Sequence, residues 1–224
     1  MAKKSSLVVL ISGDGSNLQA IIDAVNSQQL DAEITAVISN QVSAKGLDRA
    51  CKENITTHVI DHTAYPSRES FDQAMIQVID ETNPDLVILA GFMRILSRSF
   101  IKHYHHRLIN IHPSLLPKYK GLNTHKKAID NKDKVHGASV HYVGLELDGG
   151  PVVIQAEVPV LSSDTASTLA SRVLVEEHRI YPMAIKMHLK NRVHFNNDQI
   201  QFDNQPLLTP LLWKEKKLIT GNDK

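Results

Sequence analysis

Leu7-Val8-Val9-Leu10-Ile11-Ser12-Gly13-Asp14-Gly15-Ser16-Asn17-Leu18, with Ile21, Ile22 and Val25 behind it, is the stretch on which the fold turns. The aliphatic run from Leu7 to Ile11 reads as a strand. Leu18, Ile21, Ile22 and Val25 recur at helical spacing, so the chain starts as strand, glycine turn, helix. The rhythm then repeats. Strands are expected over Ile34 to Ile38, Thr57 to Ile60, Leu86 to Ala90 and Leu108 to Ile111, and helices from about Ser43 to Glu53 and from Ser67 to Thr82. Such alternation predicts an α/β fold, a Rossmann-like, mostly parallel twisted sheet with helices on both faces.

After about residue 120 the pattern changes. A helix near Thr124 to Asn131 leads into extended runs at Ala138 to Val143 and Val152 to Val160, which flank Leu147-Asp148-Gly149-Gly150. Asp-Gly is a turn signal, so these runs are expected to pair as an antiparallel C-terminal part of the sheet. A long helix from Thr165 to Leu189 follows, with Ser163 and Asp164 as capping candidates and a kink expected at Pro182. Val193-His194-Phe195 and Ile200-Gln201-Phe202 flank Asn196-Asn197-Asp198 and read as a hairpin. From about Gln205, apolar residues mix with Lys214-Glu215-Lys216-Lys217, and the last residues are expected to fray. Residues 1–224 read as one domain.

A chain of 224 residues is long enough to bury roughly 70% of its unfolded surface. Lysine and arginine (25) balance aspartate and glutamate (24) to a net charge of +1. No overall field recruits nucleic acid or an anionic membrane, and an anionic ligand needs a local site. Cys51 is the only cysteine. It excludes an internal disulfide, reads as a small apolar residue packed on a helix, and fits a reducing compartment. The six residues before the first strand leave no room for a signal sequence, and no apolar run approaches a membrane span. A cytoplasmic protein is expected.

Three stretches carry chemistry. Ser12-Gly13-Asp14-Gly15-Ser16-Asn17 lies between the first strand and first helix, where backbone N–H groups and the helix dipole favour an anion such as phosphate. Ser16 and Asn17 add side-chain hydrogen bonds or cap the helix, and a tight strand-to-helix turn uses the same residues. Neither the dinucleotide fingerprint nor the P-loop is met, since Leu18 stands at the third glycine and Ser16 where a lysine is required. Asp14 is expected to point outward.

Asn110 and His112 stand two apart at a strand end, so their side chains share a face at the edge where α/β sheets bind ligands. An imidazole moves protons near neutral pH, and an amide stabilises an oxyanion without titrating, a pairing suited to acyl transfer. A histidine there also serves simply to satisfy a backbone carbonyl. Asp148, in its glycine-flanked turn, is the candidate partner that would orient and charge the imidazole. Thirdly, Leu89-Ala90-Gly91-Phe92-Met93-Arg94-Ile95-Leu96 runs off a strand, and its glycine lets a flat ring approach. Phe92, Met93, Ile95 and Leu96 read equally as core, with Arg94 as a surface ion-pair partner. His103, His105 and His106 lack metal-ligand spacing and read as a polar helix end, and His58 and His62 read as structural.

Taken together, Ile11-Ser12-Gly13 with Gly15-Ser16-Asn17-Leu18, Leu89 to Leu96, Asn110-Ile111-His112-Pro113-Ser114-Leu115-Leu116-Pro117 and Leu147-Asp148-Gly149-Gly150-Pro151 closely resemble the folate-dependent phosphoribosylglycinamide formyltransferase family, from about Leu7 to about Leu189. The resemblance implies transfer of the formyl group of 10-formyltetrahydrofolate to the amine of glycinamide ribonucleotide in de novo purine synthesis, with no metal. It implies that Asn110, His112 and Asp148 are catalytic, and that Gly15, Ser16, Asn17 and Glu177 bind the nucleotide. Arg68, Met93, Arg94, Ile95, Leu96, Asn110, Gly144, Leu145, Glu146, Leu147 and Asp148 are implied on the folate side. It divides the domain into a nucleotide-phosphate half of about 1–100, a folate and catalytic half of about 101–190, and a C-terminal hairpin and tail. Asp14, where family members often carry asparagine, and Leu174, where some carry a polar residue, depart from the pattern near the nucleotide.

The partners implied are small molecules, with the chain a monomer or homodimer. Two other readings stand beside this one: a formyltetrahydrofolate deformylase-like hydrolase, and a non-catalytic folate- or nucleotide-binding module. Methionyl-tRNA formyltransferase shares the Asn-x-His and aspartate constellation, but it adds a C-terminal domain for which no residues remain and calls for a basic surface. The deformylase carries a regulatory module ahead of its first strand, and loss of turnover would most simply have replaced Asn110, His112 or Asp148.

Overall fold

A computed structural model describes residues 3–197, 199–215 and 217–220. The chain falls into two compact units, residues 1–110 and 111–224. In the first, β1 (Ser5–Ile11), β2 (Ala32–Ser39), β3 (Thr57–Val59), β4 (Leu86–Leu89) and β5 (Leu108–His112) lie in the order β3-β2-β1-β4-β5. The pairs β1–β2, β2–β3, β1–β4 and β4–β5 are all parallel. The central strand explains why: Leu7 to Ile11 is fully buried, as a strand covered on both faces must be. The connections are α1 (Ser16–Asn26), α2 (Gly46–Lys52), α3 (Arg68–Asp80) and α4 (Arg98–His103).

The second unit starts within β5. It continues with α5 (Thr124–Asp130), β6 (Val135–Tyr142), β7 (Val152–Pro159) and α6 (Ala166–Leu189). β6 and β7 pair antiparallel, as the Asp-Gly turn predicts. Gly137 is required in that ladder, because a Cβ on it would stand 1.8 Å from the Ala156 carbonyl oxygen. A three-stranded antiparallel sheet of β8 (Val193–Asn196), β9 (Gln199–Phe202) and β10 (Gln205–Pro206) contains the expected hairpin, whose Asp198 lies outside the described residues. Then β11 (Leu211–Lys214) joins β7 in parallel, and β12 (Lys217–Ile219) pairs antiparallel with β11. These last strands were not expected from a stretch read as mixed and apolar. The end expected to fray, residues 221–224, lies outside the described residues.

Some expectations need correction. α2 begins at Gly46 rather than near Ser43. Its first residue abuts the glycine loop so closely that a Cβ on Gly15 would lie 2.6 Å from Gly46 Cα. Cys51 is exposed on that helix, not packed. α6 is capped by Thr165, whose hydroxyl accepts the Thr168 N–H in a capping box. Asp164 is instead drawn away by Arg172, at 2.6 Å, and by the Leu161 N–H. Pro182 lies inside α6, which runs on to Leu189.

Candidate active site

β5 places Asn110 and His112 on one face by strand periodicity. His112 is buried at the strand's last position, where Pro113 follows. Its Nε2 lies 2.9 Å from the Tyr119 carbonyl oxygen, which can only accept, so that nitrogen carries a proton. Its Nδ1 faces Asp148 Oδ2 at 3.5 Å, with both side chains more than 90% buried. Both ring nitrogens therefore face acceptor oxygens.

Asp148 has φ +46° in the turn between β6 and β7, a left-handed conformation that aspartate tolerates and that turns its carboxylate inward. Oδ2 accepts the Gly121 N–H at 2.8 Å. Oδ1 lies 3.7 Å from His141 Nε2. His141 is the member of the site that sequence reasoning missed. It sits in β6, its Nδ1 donates to the Tyr142 carbonyl at 2.9 Å, and burial pushes its pKa down. A carboxylate thus stands between two histidines inside the second unit. Gly150 keeps the turn tight, since a Cβ there would meet the Tyr142 carbonyl oxygen at 1.9 Å.

Beneath this group, His125 and His136 approach at 3.2 Å, Nδ1 to Nε2. Burial is the largest cause lowering both, and it takes His136 down to about 4, with the neighbouring His125 adding to the shift. The Tyr119 hydroxyl donates to Asp133 at 2.8 Å and helps anchor the loop whose carbonyl holds His112.

In the first unit the glycine loop leads into α1 with Gly15 as its N-cap, at φ +75° and with no side-chain cap. Ser16 is thus the first helical residue and not the cap, and Asn17 is buried in the first turn. The first N–H groups of an α-helix have no intrahelical acceptor, which suits an anion. Asp14 points outward, as expected, and pairs with Arg49 Nη2 at 3.0 Å, while Arg49 Nε donates to the Asp14 carbonyl at 2.8 Å. Gly46 N–H also closes on the Gly13 carbonyl at 3.0 Å.

Of the residues after β4, Met93 is 70% and Ile95 55% exposed, whereas Phe92 and Leu96 are buried. The core reading therefore holds for Phe92 and Leu96, whereas Met93 and Ile95 lie outside the core. The Arg94 guanidinium stands over the Phe71 ring at 5.8 Å. Arg68 is exposed in the first turn of α3. In the second unit Leu145 and Leu147 are exposed, Lys120 pairs with Glu146 at 2.7 Å, and Glu177 is buried on α6. Two surface cavities, of about 630 and 440 Å³, contain none of these residues. His103 binds Asp80 at 2.8 Å at the end of α4, and among the described residues no group of three or more His, Cys, Asp or Glu is placed to hold a metal ion. Nor, among the same residues, is any helix long and apolar enough to cross a membrane.

A parallel α/β sheet with an Asn-x-His strand end and a carboxylate-bearing turn is an arrangement suited to group transfer. The chain belongs to the formyl transferase family, whose sequence profile matches residues 5–185. It is 50% identical to the phosphoribosylglycinamide formyltransferase of Escherichia coli (strain K12) over 202 residues, 90% of this chain and 95% of that protein. It is 45% identical to the human trifunctional purine biosynthetic protein adenosine-3 over 185 residues, 83% of this chain but 18% of that protein. The structure of the phosphoribosylglycinamide formyltransferase from Coxiella burnetii superimposes with a TM-score of 0.87 at 48% identity, covering 92% of this chain and 96% of that one.

Proposed function

We propose that this chain transfers the formyl group of 10-formyltetrahydrofolate to the amine of glycinamide ribonucleotide, with Asn110, His112 and Asp148 as its catalytic residues. The observation that carries the reading is the Asp148 carboxylate, buried 3.5 Å from His112 Nδ1 on the strand that also bears Asn110. The near full-length identity to a protein of that activity supports the substrates.

In this reading the substrate amine forms a bond to the formyl carbon while the carbon's bond to the donor nitrogen breaks, and the proton shed by the amine ends on that departing nitrogen. The Asn110 amide and the His112 imidazolium stand against the oxygen on which negative charge builds. Asp148 faces the imidazolium, neutralises it and fixes the ring. His112 Nε2 must exchange the Tyr119 carbonyl for the formyl oxygen as substrates bind. Gly15, Ser16 and Asn17 hold the nucleotide's phosphate, and Glu177 its ribose. Exposed Met93 and Ile95, with Leu145 and Leu147, offer the apolar contacts a flat heterocycle needs. Arg68, Arg94, Leu96, Gly144 and Glu146 complete the folate side. The setting is cytoplasmic and the reaction needs no metal.

The test mixes purified protein with both substrates and follows tetrahydrofolate release by absorbance, with and without the nucleotide and with His112→Ala. Release that needs the nucleotide and disappears in the variant is expected. Release without nucleotide would make the protein a hydrolase, and ligand binding without release under any condition would end the catalytic reading.

A further inference from the structure

The segment from Gly91 to Ser97 joins β4 to α4 and presents Met93 and Ile95 outward while Phe92 and Leu96 point into the core. It is held at both ends. At the start, Ser12 donates its N–H to the Gly91 carbonyl at 3.1 Å, and its hydroxyl accepts the Met93 N–H at 2.8 Å while donating to Asn40 Oδ1 at 2.6 Å. At the far end, Asp72 of α3 accepts the Ser97 N–H at 2.5 Å. Ser97 in turn caps α4, its hydroxyl accepting the Phe100 N–H at 3.3 Å.

Asp72 is 1% exposed, a costly place for a carboxylate unless hydrogen bonds offset the loss of water. Oδ1 has no hydrogen-bond partner among the described residues. Burial holds the carboxyl above the usual carboxylate range, against the pull of the Ser97 hydrogen bonds and of Arg68 one turn earlier on α3. An apolar residue in its place would leave the buried Ser97 N–H without this acceptor. What the acid does, and an apolar residue would not, is fix the Ser97 N–H and with it the end of the exposed segment.

We propose that Asp72 and Ser12 are positioning residues for the formyl donor, pinning the two ends of the wall that Met93 and Ile95 present. The inference rests on the reading that this wall faces the donor. Neither residue touches the reacting atoms, so their loss should weaken donor binding and leave the chemical step alone.

Steady-state kinetics with both substrates varied tests this on Asp72→Ala, Asp72→Asn and Ser12→Ala, with Met93→Ala and Ile95→Ala beside them. Asp72→Ala should raise KM for 10-formyltetrahydrofolate about tenfold, with kcat and the nucleotide KM within about twofold of the parent. Asp72→Asn keeps a carbonyl oxygen for the Ser97 N–H and should restore most of the donor KM. Ser12→Ala should also raise it, and decides the matter by the same split if Asp72→Ala does not fold. Equal losses in kcat and both KM values, or a fall in active protein alone, would reduce the two residues to a structural role and overturn the proposal. If Met93→Ala and Ile95→Ala leave the donor KM unchanged, the wall reading itself has failed. If they raise it while the Asp72 and Ser12 variants do not, only the anchoring has failed.

Discussion

Replacing the Asp148 carboxylate by an amide is the sharpest change available at the residue scale. Asp148→Asn preserves size and can still accept the Gly121 N–H, but it removes the charge facing His112 at 3.5 Å. We expect kcat to fall on the order of 10²-fold with both KM values little changed, since the charge is needed most when the oxyanion forms. Full turnover by this variant would remove the role assigned to the carboxylate. A second prediction concerns His136, whose folded pKa of about 4 lies below its ordinary 6.5 because the ring is buried. Between those values the unfolded chain binds more protons than the folded one. The stability this ring contributes is therefore complete above about pH 6.5 and is lost as pH falls toward 4, by at most on the order of 3 kcal/mol. His125 and His141 are shifted the same way. Urea unfolding at pH 7 and pH 4.5 should show a smaller loss for His136→Asn than for the parent; equal losses would count against it.

Asn110 and His112 were legible at this scale because they are neighbours on one strand, and Asp148 because two glycines mark its turn. His141 was not. A histidine in the middle of an apolar strand carries no spacing signal, and its approach to Asp148 depends on where the turn after β6 bends back.

Among the elements, the β6–β7 turn carries the Asp148 carboxylate on two backbone constraints, the positive φ of Asp148 and the crowding at Gly150. Gly150→Ala places a Cβ against the Tyr142 carbonyl and must shift the turn. It should lower kcat as Asp148→Asn does and also lower Tm, whereas Asp148→Asn should cost little Tm; a Gly150→Ala protein with parental kcat would show that the turn has slack. The N-terminus of α6 offers a milder case. Thr165→Ala breaks the capping box and should cost about 1 kcal/mol by denaturant titration, and Ser163→Ala should cost much less. Apart from α4 and the strands from β10 onward, the strands and helices followed from periodicity to within a few residues. Capping followed less well, because the choice among Ser163, Asp164 and Thr165 depends on Arg172, two turns into the helix, which claims Asp164.

For the molecule as a whole, the C-terminal strands are the part that lies beyond the family match. β11 covers an edge of β7 with parallel hydrogen bonds, and Trp213, the only tryptophan, sits on it. Truncation after Pro206 would leave that edge of β7 open while removing none of the proposed site residues. The shortened protein should keep kcat within about twofold when fresh and associate more readily on sizing columns, as bare strand edges do. In the full chain, Trp213 fluorescence reports whether β11 stays docked. A truncated protein that loses catalysis at once would instead place the C-terminal strands within the working enzyme.

By itself the amino-acid sequence determined the α/β class, the parallel first half and the antiparallel later strands, and it put forward Asn110, His112 and Asp148 as candidates. Those features rest on local matters: hydrophobic period, glycine and proline geometry, and residue types at fixed short spacing. Tertiary structure alone decided that Asp148 lies between His112 and His141, that Arg49 draws Asp14 away from the glycine loop, and that Ser12 and Asp72 hold the segment bearing Met93 and Ile95. All but the His141 contact join residues far apart along the chain, and no local pattern encodes a distance that only the folded backbone brings below 4 Å.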